Sequence, residues 1–75
     1  GAFGFLGEHK LLFWAAAVDD NQPIPVGSIA IRSDRALIGT GRGCLRPLEI
    51  ETDGQIMKDE DLFEFFKNHE GESVQ

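Results

Sequence analysis

One stretch of the sequence decides the fold: KLLFWAAAV, residues 10–18. Its aromatic and β-branched residues favour extended structure, and a strand is the strongest prediction along the chain. Both alternating sets of side chains are apolar, and Ala15 and Ala17 belong to the same set. Such a strand is covered on both faces or leaves one face for a partner. We therefore predict a long strand here, with both faces covered or with one face available to a partner.

Short apolar runs separated by Gly, Pro and Asp turn signals surround this strand at intervals of about eight to twelve residues. The Asp53-Gly54 pair is a strong hairpin signal between two of these runs. This rhythm is typical of a small barrel or sandwich. The other predicted strands cover residues 2–6, 26–31, 35–39, 44–51 and 55–57.

The C-terminal segment predicts a short helix instead. Asp59 is suited to the N-cap, and two further acids follow in the first turn, where the helix dipole favours them. Leu62, Phe65 and Phe66 share one face at helical spacing. Gly71 lies where such a helix would stop. We expect one domain over residues 1–71 and a frayed tail over residues 72–75.

The charge of the chain is divided between two regions. The net charge is −6, which argues against indiscriminate binding of nucleic acid. The segment 32–46, however, holds four arginines and one acid, Asp34, so its own charge is +3. Guanidinium groups on strands flanking a glycine turn are suited to an anionic substrate, and ordinary surface charge is the alternative. The candidate binding residues are Arg32, Arg35, Arg42 and Arg46.

The residue types that carry chemistry are too few for a catalytic or metal centre. Cys44 is the only cysteine, so no internal disulfide forms, and a buried thiol in a reducing cytoplasm is expected. His9 and His69 are sixty residues apart in sequence and offer no metal-ligand spacing. The glycine-rich run 39–43 lacks the last glycine of a dinucleotide-binding loop, which favours a turn requiring positive φ. No segment is long and apolar enough to cross a bilayer.

The order of these features resembles the C-terminal domain of the methionyl-tRNA formyltransferase family. Those domains begin with a Pro-Gly-Ala type of segment and continue with a Lys-aliphatic-x-aliphatic-Trp-x-Ala-x-Val strand. A Pro-Gly-Thr/Ser-aliphatic element and a Gly-x-Gly-x-Leu-Arg-x-Leu-Glu segment follow, and then a Gly, a Met and an acidic-aromatic end. The matching residues here are Gly1-Ala2-Phe3; Lys10, Leu11, Phe13, Trp14, Ala16 and Val18; Pro25 to Ile29; Gly41, Gly43, Leu45, Arg46, Leu48 and Glu49; and Gly54, Met57, Asp61, Leu62 and Phe63.

The resemblance implies a mainly β fold: a small, OB-like, partly open β-barrel of five to six strands with a short C-terminal α-helix. It implies a non-catalytic accessory domain of a cytoplasmic enzyme of translation initiation. In that family the formyl transfer from 10-formyltetrahydrofolate takes place in a separate N-terminal domain, so no catalytic residue, metal or cofactor is expected here. The implied partners are that catalytic domain and tRNA, with Arg42 and Arg46 at family-like positions.

Two alternatives stay open beside the tRNA reading. The accessory domain of a sugar-nucleotide or other folate-dependent formyltransferase has the same arrangement of features. A protein-interaction or dimerisation module is the second alternative, because Ala15 and Ala17 stand where the family commonly has charged residues. A homo-oligomer is expected for such an interaction module, and no membrane partner is expected under either alternative.

Overall fold

Six antiparallel strands and one helix make up the part of the chain that the structure, a computed structural model, describes: residues 2–75. The elements are β1 (Ala2–Leu6), β2 (His9–Asp19), β3 (Ile29–Arg32), β4 (Arg35–Gly39), β5 (Cys44–Thr52), β6 (Gln55–Lys58) and α1 (Asp59–Lys67). The strands form one open sheet in the order β1-β2-β5-β4-β3, and β6 pairs with β5 outside this path. The prediction of a mainly β, partly open barrel with a C-terminal helix is confirmed.

The strand β5 organises the sheet because it has partners along both edges. Along one edge, β2 pairs with almost the whole length of β5. On the other edge, β4 pairs with its first two residues and β6 with its last four. The side chains on the concave face of this arrangement form the main core, which α1 covers with Leu62 and Phe66. Phe66 is fully buried, and this contributes on the order of 1.5–3 kcal/mol to stability.

A second and smaller cluster of buried side chains lies on the opposite face of β4. It contains Ile24, Leu37 and Cys44, with Ala30 packed against it. The alternation of side chains along β4 separates the two clusters, since Ala36 and Ile38 belong to the main core. By the alternation of side chains, Arg32, Arg35 and Arg46 lie on the same side of the sheet as this smaller cluster.

The pairing of β2 with β5 is irregular beside Ala15. The register with β5 shifts between Phe13 and Ala15 and again between Ala15 and Ala16. The first shift leaves Trp14 as an extra residue on β2, and the second leaves Leu48 as an extra residue on β5. Ala15 and Ala17 are both exposed, and no extra residue of β2 lies between them.

The helix begins one residue earlier than the sequence indicates. Asp59 is its first residue, with a positive φ of 52°, and the N-cap position belongs to Lys58, whose side chain makes no capping hydrogen bond. The strand β6 runs directly into the helix, so no loop residue is left between them to act as the cap. The acids of the first turn still lie where the helix dipole favours them. The helix ends at Lys67, ahead of Gly71.

Residues 72–75 are ordered by hydrogen bonds, contrary to the expectation of a frayed tail. The N–H of Ile29 donates to Glu72 O (3.1 Å), and the N–H of Val74 donates to Gly27 O (2.7 Å). On the other side, the N–H groups of Gln75 and Phe5 each donate to the other residue's carbonyl, at 2.8 and 2.6 Å. The tail therefore lies between the two ends of the open sheet, β1 and the segment leading into β3.

Candidate anion-binding site

The hairpin of β3 and β4 places two arginines side by side. Arg32 and Arg35 are direct partners in the register of the two strands, and both are exposed. The turn between them has only two residues, with Ser33 at a positive φ of 56°. Like charges directly opposite each other destabilise an antiparallel pair. An anion bound between the two guanidinium groups would remove that repulsion.

A third arginine, Arg46, comes from β5 and is half-buried. Its partner on β2 is Ala17, which places it on the same face as the smaller core cluster. Arg35 and Arg46 together line a hollow of about 230 Å³, whose floor includes Leu37. They also line a second hollow of about 70 Å³ that reaches the start of α1 at Asp59. Three of the four predicted arginines thus belong to one surface, which we call the arginine face: Arg32, Arg35 and Arg46.

In the described residues, the arginines of the arginine face form no ion pair with neighbouring acids. Within residues 2–75, the ion pairs shorter than 4.0 Å are His9–Asp53 and His69–Glu72, and neither includes an arginine. Acids do lie nearby, since Asp19 lines the larger hollow, and Asp34 and Asp59 line the smaller one. Because no carboxylate of the described residues lies within 4.0 Å of the charged groups of Arg35 and Arg46, their guanidinium donors can still bind an anionic ligand.

Arg42 does not join this face. It lies exposed in the turn between β4 and β5, at the end of β4 opposite to Arg35. The turn is closed by Thr40 and Gly43: the N–H of Thr40 donates to Gly43 O (3.2 Å), and the N–H of Gly43 to Thr40 Oγ1 (3.3 Å). Gly41 has a φ of 94°, which confirms the turn that requires positive φ. The four predicted binding residues are therefore split into three and one.

Cys44 is a free thiol buried beneath the arginine face, as predicted. Burial raises the pKa of this thiol above its ordinary value, the carboxylate of Asp19 raises it further, and the charge of Arg32 opposes the rise. Because the reactive form of cysteine is the thiolate, the thiol is held in its unreactive form near neutral pH. Cys44 contributes packing to this site.

A separate apolar hollow of about 330 Å³ lies between β2 and the C-terminal tail. Phe3, Trp14, Ala15 and Val74 contribute to its lining, whereas Ala17 lines the hollow of the arginine face. The predicted interaction surface is thus divided between two sites. Phe3 and Trp14 are 59% and 58% exposed, and the Nε1–H of Trp14 donates to Glu51 Oε1 (3.0 Å). The exposure of these two aromatic residues was not predicted from the sequence. For Trp14, the available signal was the apolar character of both faces of residues 10–18, which leaves one face without a cover.

Two further observations bear on the class of protein. Among the described residues, no group of three or more His, Cys, Asp or Glu side chains is arranged to hold a metal ion. His9 and His69 nevertheless meet, with ring centroids 5.9 Å apart, although sixty residues separate them in sequence. No helix in residues 2–75 has the length and apolar character needed to span a membrane.

Comparisons with protein-family models, with curated proteins and with solved structures found no match for this chain. The likeness to the formyltransferase C-terminal domain therefore rests on the residues quoted above, and the function that it implies is a proposal.

Proposed function

We propose that this chain is the non-catalytic, tRNA-binding accessory domain of a cytoplasmic methionyl-tRNA formyltransferase-like enzyme. The observation that carries the proposal is the meeting of Arg35 and Arg46 at one hollow without a paired carboxylate in the described part of the chain. Arginine is suited to phosphate because its planar fork of donors can bind two phosphate oxygens at once. Arg32 extends the surface along the hairpin.

The net charge of −6 defines how such binding would work. A uniformly basic surface attracts nucleic acid from many directions, whereas this chain offers one local region of positive charge. The domain would contribute a few phosphate contacts that orient the tRNA, and most of the affinity would come from elsewhere in the enzyme. The formyl transfer itself, from 10-formyltetrahydrofolate, is assigned to the N-terminal catalytic domain.

The proposal is tested by the binding of fluorescently labelled tRNA, followed by anisotropy over a series of salt concentrations. Arg46→Glu should weaken binding roughly 10-fold or more, since a hydrogen bond to a charged group contributes about 1.5–3 kcal/mol. The slope of log K against log salt should fall by about 1 for one lost phosphate contact. Arg42→Glu is the matched control, because it changes the net charge equally at the remote turn.

Two results would contradict this function. If the wild-type domain binds no tRNA even at low salt, the tRNA role is lost. If Arg42→Glu weakens binding as much as Arg46→Glu does, the effect is one of net charge, and the arginine face is not the site. Binding of a nucleoside diphosphate sugar, without binding of tRNA, would instead favour the accessory domain of a sugar-nucleotide formyltransferase.

A protein-interaction or dimerisation module is a second candidate, favoured by the exposed Phe3 and Trp14 beside the apolar hollow. Exposed apolar patches commonly mark surfaces that contact another protein. Light scattering over a range of concentrations tests self-association: a dimer that Trp14→Glu dissociates would support this candidate. A monomer at every concentration would count against the dimer.

A further inference from the structure

The two histidines of the chain lie together at one end of the barrel. His9 is the first residue of β2, and His69 follows the end of α1. Their ring centroids are 5.9 Å apart, and their planes make an angle of 71°. The ring of Phe65 packs against both, with centroids 6.0 Å from His9 and 5.0 Å from His69. The fold thereby brings together, from distant parts of the sequence, two side chains of a type that commonly binds metal ions.

Each of these histidines has a carboxylate partner on its Nδ1 atom. His9 Nδ1 lies 2.8 Å from Asp53 Oδ2, and His69 Nδ1 lies 2.9 Å from Glu72 Oε2. A carboxylate that accepts the Nδ1–H fixes the tautomer in which Nε2 carries the free lone pair, and it makes that nitrogen a stronger ligand. Both histidines have the outer-shell partner that metal-binding histidines typically have.

The spacing of the rings also suits a shared ion. Two imidazoles bound to one zinc ion at about 2.0–2.1 Å have centroids roughly 5–6 Å apart. The side chains of His9 and His69 are 39% and 24% exposed, so both are in contact with water, which can act as a further ligand. Imidazole ligands favour zinc, nickel and copper over magnesium and calcium, which prefer oxygen.

We propose that His9 and His69 bind one divalent transition-metal ion, with zinc as the test case, through their Nε2 atoms. The carboxylates of Asp53 and Glu72 orient the two rings, and water supplies the remaining ligands. Because the described residues offer no third protein ligand at this position, the site is open and its ion exchangeable. A bound ion would tie the start of β2 to the segment after α1. This inference does not depend on the proposed tRNA binding.

Calorimetric titration of the metal-free chain with zinc chloride tests the proposal, with magnesium chloride as the control ion. We expect one zinc ion per chain in the wild type, no such binding in His9→Gln or His69→Gln, and no response to magnesium. Because the chain has no other histidine and its single cysteine is buried, no second imidazole or accessible thiol can substitute. Asp53→Asn and Glu72→Gln should retain the site with affinity lowered roughly 10- to 100-fold. Asp34→Asn, an acid at the distant hairpin turn, should have no effect.

A second measurement protects the test against variants that fail to fold. In the wild type, zinc should shift the side-chain ring resonances of both histidines in the NMR spectrum. Zinc binding that persists in His9→Gln and His69→Gln would overturn the proposal. So would the absence of zinc-dependent heat and of histidine shifts up to about 1 mM zinc, because the affinity would then be far weaker than that of known protein zinc sites.

Discussion

Deletion of residues 72–75 should destabilise this domain far more than the loss of four terminal residues normally would. The deletion removes four backbone hydrogen bonds that connect the tail to Ile29, Gly27 and Phe5. It also removes Val74, which packs against the main core. At about 0.5–1.5 kcal/mol for each bond, the loss is about 2–6 kcal/mol. Ordering the tail costs conformational entropy in the full chain, and the shortened chain avoids this cost. We therefore expect the lower part of this range, about 2–3 kcal/mol.

Urea unfolding of the chain ending at Gly71 measures this change, and thermal unfolding should show a decrease in Tm of about 10–20 °C for a domain of this size. Gln75→Ala is the matched control, because it removes a side chain and leaves the main-chain bonds of the tail in place. Hydrogen exchange of the Phe5 amide should become faster in the shortened chain only. A change of less than about 0.5 kcal/mol, within the range of ordinary surface substitutions, would refute the structural role of the tail.

Three further predictions concern single residues. Gly39→Ala should cost about 1–3 kcal/mol in urea unfolding, because a Cβ at Gly39 would meet the main-chain oxygens of Ile24 and Pro25; a wild-type midpoint would contradict this. Thr52→Val should stabilise the domain by about 1 kcal/mol in the same assay, since the buried Thr52 Oγ1 has no hydrogen-bond partner, whereas Thr52→Ser should not stabilise it. Burial raises the pKa of the Cys44 thiol in the folded state. The neutral thiol therefore contributes its full stability below the pKa of the unfolded thiol, and this contribution is lost as the pH rises through the pKa of the folded thiol. Cys44→Ala should unfold with a smaller alkaline decline than the wild type, and an equal decline would assign the effect to other groups.

The strands were predictable because their sequence signals are local. The Asp53-Gly54 pair, for example, lies at the turn of the β5–β6 hairpin. The burial of Cys44 was predicted because the sequence offers it no second cysteine and no metal-ligand spacing. Each of these inferences needs only a few neighbouring residues, and each is confirmed.

The errors arise where distant segments meet. The tail carries no strand-like pattern, and it is ordered by carbonyls and amides of residues about 45 to 70 positions earlier in the chain. The bulge at Ala15 depends on the register with β5, which the sequence of β2 does not encode by itself. The same reason explains why the sequence grouped Arg42 with Arg46 but did not bring His9 to His69.

The binding of tRNA at the arginine face is the central claim, and NMR mapping of the labelled domain tests it most directly. Titration with tRNA should shift the backbone amides of Arg35, Leu37 and Arg46 more than others, because these residues line one hollow. The amide of Arg42, at the far end of β4, should move little. Shifts concentrated at Phe3 and Trp14, or no shifts at low salt, would contradict the account.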